Sequence, residues 1–397
     1  MDYLGNIKKQ YWVSFFHSLI PAYVIERLFW QRRGMDAQMV VYIEIIYALT
    51  VTLGEIPSGV LSDKLGRKRL LVACEALAAA ELILLLSAWS FRRFAVAIFL
   101  SGVGKALSSG SENALLYDSL MTRAKQGDFE KHLGRLGAID FFGSTLAALS
   151  GGVMASFFDM ELNYVVSILS VCAALIISMT YKEPPMLNKP EDKATSAWRH
   201  SKQAFMVFRS QPLIFAYCLT GAVIGACIIY LDEFWQIISE NIGIPVILFG
   251  VVGAAITSLR IPGNLLAYRL KEKLSFSHIL TCVIALSALG YAMIFFLGNM
   301  YCLAPMALLF LITGVVDPLV AGYLHHRIPS HIRATVESLS SLGLRAVSIG
   351  VGLVFGYVSK RLSIFAGFLS LSVVCFGYLI LFYVMEKRLS RGDKASE

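Results

Sequence analysis

EIPSGVLSDKLGRK, Glu55 to Lys68, closes a long apolar run with a block of charge, and a degenerate copy follows 205 residues later: RIPGNLLAYRLKEK, Arg260 to Lys273. The two share an Ile-Pro pair, a leucine at positions 61 and 266, and a basic end. The same offset lays Glu112 over Asp317, Asp140 over Arg345 and Arg27 over Asp232. With Glu55 over Arg260, four charged positions coincide at one spacing, which marks a duplicated chain. Parallel halves with a midplane site between them form a transporter architecture.

Outward from these copies the 397 residues are 57% hydrophobic and only 16% charged, against about 45–50% and about 25% in soluble domains. The mean hydropathy of +0.66 spreads that excess along the chain, which excludes a disordered, coiled-coil or collagen-like protein. Apolar runs fall at 11–31, 37–61, 70–89, 94–116, 134–157, 162–181, 213–236, 245–268, 278–297, 301–324, 339–358 and 364–385. Each is close to the ~20 residues that span a bilayer. The expected fold is an all-α membrane protein: twelve transmembrane helices in two pseudo-symmetric six-helix bundles, residues 1–182 and 212–397. A linker at 183–211 joins them, with an amphipathic segment expected from Ala197 to Arg209.

An even number of spans puts both termini on one side. With the N-terminus placed in the cytoplasm, 25 Lys and Arg lie on that side against 6 on the other, and this bias orients the chain across the inner membrane. The net charge of +8 is therefore a topology signal rather than a nucleic-acid footprint. The seven cysteines fall in or at the ends of apolar runs, with no metal-ligand spacing, and are expected as buried thiols. Trp12, Trp30, Trp89 and Trp235 sit near span ends and are expected as interface anchors. The first apolar run lacks a cleavable-signal pattern and is expected to serve as its own insertion signal.

Gly59, Leu61, Asp63, Gly66, Arg67 and Lys68 resemble the GxLaDrxGrk signature of the major facilitator superfamily, with Lys64 where Arg is usual. GSENALLYDSL, Gly110 to Leu120, resembles a stretch of bacterial members. The resemblance implies that Gly59, Asp63, Gly66, Arg67 and Asp118 form a latch on the cytoplasmic side. Physically, Asp63 can face a helix N-terminus and Arg67 can fork onto Asp118. The resemblance also places spans 3, 6, 9 and 12 outermost, and sets span 2 against 11, 5 against 8, and 1 against 7. The Gly-Pro motif frequent in span 5 of antiporters is absent; this chain has Gly143, Gly151 and Gly152.

Charges inside spans are costly, about 2.5–3.5 kcal/mol at mid-bilayer on insertion scales, so they are kept where they pair or work. Glu55, Asp140, Arg260 and Arg345 lie toward the cytoplasmic ends and are expected to form an inner gate, Glu55 with Arg345 and Asp140 with Arg260. Arg27 with Asp232 and Glu233 is expected as the outer gate. Glu112 and Asp317, with Glu26, Lys105 and His17, are the candidates for substrate and proton binding, and Tyr23, Tyr47 and Tyr230 for cavity lining. Glu75 is placed at a span edge and Glu81 in a helix-helix pair. The one phosphate-loop echo, Gly102 to Ala106, lacks the needed glycine and hydroxyl, and no nucleophile arrangement is present. Neither an enzyme nor a cofactor or metal site is expected. The chain reads as a monomeric, proton-coupled exporter of a small polar or zwitterionic molecule. A proton symporter for nutrient uptake is the alternative, and a lipid flippase the alternative from another class.

Overall fold

The computed structural model describes residues 3–109, 111–122, 126–184, 212–327 and 330–393. Among these the chain is helical, without a strand. In order the helices are α1 (Gly5–Ser18), α2 (Glu26–Arg32), α3 (Ala37–Leu65), α4 (Arg67–Leu86), α5 (Phe91–Ser108), α6 (Ser111–Met121), α7 (Phe129–Phe157) and α8 (Met160–Met179). There follow α9 (Pro212–Asn241), α10 (Phe249–Ser258), α11 (Arg260–Lys273), α12 (Phe276–Leu297), α13 (Leu303–Arg327), α14 (Ser330–Arg361) and α15 (Ile364–Asp393). The segment Ala197–Arg209, expected to be amphipathic, lies outside the described residues.

Ten stretches are long and apolar enough to cross a membrane among the described residues, and they coincide with ten of the twelve expected runs. The first run falls short because Pro21 divides it: α1 passes through a 3₁₀ turn, Pro21–Val24, into the short α2. The third falls short because α4 carries Glu75 and Glu81 besides the basic residues at its start.

Contacts divide the chain into two units, Met1–Pro190 with Ile244–Ala254, and Glu191–Gly243 with Ala255–Glu397. In the first, the break at Pro21 is supported rather than left open. Asn163 Nδ2 donates to the carbonyls of Pro21 (3.1 Å) and Gly151 (2.9 Å), and the Ala22 N–H donates to Ser167 Oγ at 3.1 Å. Apolar surroundings demand such substitutes for lost helix bonds. Gly143, Ala147 and Gly151, spaced by four on α7, are buried and let the first run approach closely, a small-residue seam of the kind that packs helices in lipid. A Cβ at Gly151 would stand 2.5 Å from the Pro21 carbonyl oxygen. We therefore expect Gly151→Leu to lower stability by about 1–3 kcal/mol, the usual cost of overpacking, read as a reduced melting temperature in detergent. An unchanged melting temperature would show that the seam can relax.

The second unit has a comparable crossing, where a Cβ at Gly263 of α11 would clash with the Leu311 carbonyl oxygen and one at Gly314 of α13 with the Arg260 carbonyl oxygen. Large apolar side chains such as Leu169, Ile176, Phe296 and Val373 are exposed on the helices, as lipid-facing positions require. Two expectations are corrected here. Trp30 and Trp235 are buried, not interface anchors, whereas Trp12 and Trp89 are exposed; Trp30 donates to the Tyr164 hydroxyl at 3.3 Å. Among the cysteines, Cys282 is exposed and Cys172 half-buried, while the other five are buried.

Candidate functional site

Gln10, Ser14, His17 and Ser18 recur at three- and four-residue steps, so α1 presents one polar stripe. That stripe lines a cavity of about 590 Å³ within the first unit. Opposite it stand Glu75 and Glu81 of α4, Ser101 and Lys105 of α5, Glu112 of α6, Asp140 of α7, and Tyr23 and Tyr47. Four carboxylates, one lysine and one histidine thus share a single space. His17 Nδ1 lies 3.0 Å from Glu75 Oε2. The hydroxyls of Ser14 and Ser18 both donate to Asp140 Oδ1, the latter at 2.9 Å. Gln10 Nε2 donates to the Glu112 backbone carbonyl at 2.8 Å. Among the described residues no group of three or more His, Cys, Asp or Glu could hold a metal ion.

The structure therefore brings together Glu112, Lys105, His17 and Asp140, and adds Glu75 and Glu81, in place of the expected span edge and packing pair. Their signal was the cost of placing two carboxylates in one span, which only a polar cavity or a cation relieves. Glu26 does not line this cavity; it lies 3.4 Å from Arg27 Nη1. Arg27 is buried, donates to Glu44 Oε1 at 2.6 Å and stacks 4.3 Å from the Trp30 ring centre. Glu44 was missed because it sits in the first third of α3, where a charge reads as an interfacial residue.

In the second unit Arg260 Nη2 donates to Asp232 Oδ2 at 2.5 Å, and its guanidinium lies 5.1 Å from the Phe310 ring centre. This corrects the sorting by depth, which put Asp232 in an outer layer and Arg260 in an inner one: residues in contact share a level. The error came from treating α9 as ending near 236, whereas it runs to Asn241, and from neglecting the reach of an arginine side chain. Within its own unit Arg260 is engaged by Asp232, and Asp140 by two serines. Asp317 is exposed on α13, within reach of the Arg260 charge, and Glu233 is half-buried on α9. Glu55 is exposed on α3 and Arg345 half-buried on α14. Tyr230 is buried and donates to the Ser348 carbonyl at 2.7 Å.

At the turn between α3 and α4, Gly66 holds φ +88°, a conformation open to glycine. Arg67 forms a salt bridge with Asp118 and donates through Nη1 to the Ala114 carbonyl at 3.0 Å. The side chain that occupies the N-terminus of α4 is Glu183, whose two carboxylate oxygens accept from the N–H groups of Arg67 and Lys68, each at 2.8 Å. Gly59 and Asp63 lie outside the side chains described.

Bundled apolar helices around a polar, charge-lined cavity define a multi-pass membrane transporter rather than an enzyme. The chain matches the Major Facilitator Superfamily over residues 12–352, and it belongs to that family. Its fold is similar to that of a bacterial homolog of the human lysosomal transporter Spinster, at 13% identity and a TM-score of 0.74, with 98% of this chain and 97% of that one covered. It is similar also to the D-xylose-proton symporter (12% identity, TM-score 0.69, 97% of each chain) and to the nucleoside transporter NupG (12%, 0.67, 98% of this chain and 100% of that one).

Proposed function

We propose that the chain is a proton-coupled secondary active transporter that exports a small polar or zwitterionic metabolite or drug by alternating access. In this reading twelve helices form the two bundles, 1–182 and 212–397, both termini are cytoplasmic, and a monomer in the inner membrane suffices. The observation that carries it is the single cavity in which Glu75, Glu81, Glu112 and Asp140 face His17 and Lys105. Carboxylates and an imidazole within apolar surroundings are groups that gain and lose protons in answer to their neighbours, so cargo and proton occupancy influence one another there. Arg67 with Asp118 and Glu183 is read as the latch that steadies the cytoplasmic turn, and Asp317 as a second acid toward the transport path.

The D-xylose-proton symporter has a similar fold, so the fold alone does not set the direction of transport. Direction is therefore set by experiment. Purified chain in proteoliposomes, given an imposed pH gradient and a panel of polar metabolites and cationic drugs, is expected to move at least one of them only while the gradient lasts. Movement against the proton flow establishes export by exchange, and movement with it establishes symport. Transport indifferent to the gradient would overturn proton coupling.

A further inference from the structure

The basic end of the repeated stretch takes no part in the transport cavity. Lys64, Lys68 and Arg69, with Lys182 and Glu183 just past α8, line a second cavity of about 660 Å³ beside the turn at Gly66. Among its described lining residues four cations face one acid, and that acid is committed elsewhere. Both Glu183 oxygens accept from the backbone N–H groups of Arg67 and Lys68 at the start of α4, each at 2.8 Å. Lys64, Lys68, Arg69 and Lys182 form no salt bridge among the described residues.

The backbone of this cleft is fixed. Asn6, only 1% exposed, holds Lys182 by both main-chain groups: its Nδ2 donates to the Lys182 carbonyl at 2.7 Å, and its Oδ1 accepts from the Lys182 N–H at 3.0 Å. Gly66 lies against the far wall, where an added Cβ would stand 2.8 Å from the Glu183 carboxyl carbon. Lys9, ahead of the first apolar run, gives a separate sign of crowded charge. It donates to the Thr180 carbonyl, and its ammonium is held below the usual lysine range by partial burial and then by the charges of Lys182 and Lys68. Orientation in a membrane asks only for the number of cations on one side, not that they share one concavity. Repulsion among them is relieved by an anion with several acceptor oxygens.

We propose that this cleft binds a phosphate-bearing anion, either a phospholipid headgroup or a free phosphate, through Lys64, Lys68, Arg69 and Lys182. Arginine takes phosphate oxygens in a planar fork and lysines act as mobile point charges around it. Basic pockets of this kind, set beside membrane helices, receive anionic headgroups. Leu65, 46% exposed in the same wall, gives an acyl chain an apolar neighbour. The proposal goes beyond the transport reading and does not rest on it.

Calorimetry on the purified full chain in a neutral detergent tests this with dihexanoyl phosphatidylglycerol, dihexanoyl phosphatidylcholine and inorganic phosphate. At least one of the two anions is expected to saturate, roughly tenfold or more tighter than phosphatidylcholine, whose own cation cancels its charge. Saturation by phosphatidylglycerol alone assigns the site to lipid, and saturation by inorganic phosphate assigns it to the phosphate group as such. Changing Lys64, Arg69 and Lys182 together to Gln should weaken the anion roughly tenfold or more. The same change at Arg269, Lys271 and Lys273, exposed on α11, should leave it as it was. Melting temperatures near that of the parent certify folding. Should the first variant fail that check, amine acetylation of the parent chain decides: the bound anion should protect Lys64, Lys68 and Lys182 severalfold, and Lys271 and Lys273 not at all. The proposal is overturned if neither anion saturates, if phosphatidylcholine binds as tightly, if both triple variants lose binding equally, or if all these lysines are labelled alike. Anion binding without gradient-driven flux would defeat the transport reading and leave this one standing; flux without anion binding would do the reverse.

Discussion

Glu112→Gln is expected to cut gradient-driven accumulation roughly a hundredfold, the loss that about 2.7 kcal/mol of missing charge interaction produces. The substitution keeps the volume of the side chain and its place on the first turn of α6, so packing is little disturbed. What it removes is a carboxylate that borders His17, Lys105, Glu75 and Asp140 and therefore takes part in the charge balance of the whole cavity. An amide at that position cannot take up and release a proton, whereas exchange of cargo across the membrane without net proton movement needs only the binding surface. Counterflow measured in the same proteoliposomes should thus persist at a reduced level while accumulation collapses. Glu130→Gln is the matching control, because Glu130 is exposed at the start of α7 and does not line the cavity. Accumulation by the Glu112→Gln protein at the parent level would remove this residue from the coupling machinery.

Much of the fold is legible in the amino-acid order because the governing quantities are local. Length and hydropathy alone place ten spans, and the repeat at one offset separates two sets of them. The site is less legible, since it depends on which face of each helix turns inward. On α1 the polar face can be read from Gln10, Ser14, His17 and Ser18, whose spacing repeats the helical period. On α4 it cannot be read as simply: Glu75 and Glu81 are six residues apart, a step that does not keep one face, yet both line the same cavity. Depth misled for a related reason. Its place near a span end makes Arg27 an expected gate residue, yet it is buried with Trp30 beneath it and Glu44 beside it, because α2 is set off from α1 by the Pro21 turn and tucks against α8.

The Pro21 turn also gives Arg27 the strongest structural demand in the first unit. Arg27 is 6% exposed, with its guanidinium within 2.6 Å of Glu44 and 3.4 Å of Glu26, and over the Trp30 ring. Removing the cation leaves two carboxylates in an apolar setting, and breaking a buried pair from one side costs about 3–5 kcal/mol. Arg27→Leu should therefore depress the melting temperature in detergent more than any other single change considered, and Arg27→Lys should depress it less, because the charge survives while the planar fork and the ring stacking are lost. Combining Arg27→Leu with Glu44→Leu should recover part of the loss, since a paired deletion leaves one buried charge fewer. An outer-gate role of the kind the sequence suggested for Arg27 and Asp232 makes the opposite demand: flux falls while the melting temperature holds. If Arg27→Leu melts with the parent protein, the pair with Glu44 contributes little, and the gate reading regains its place.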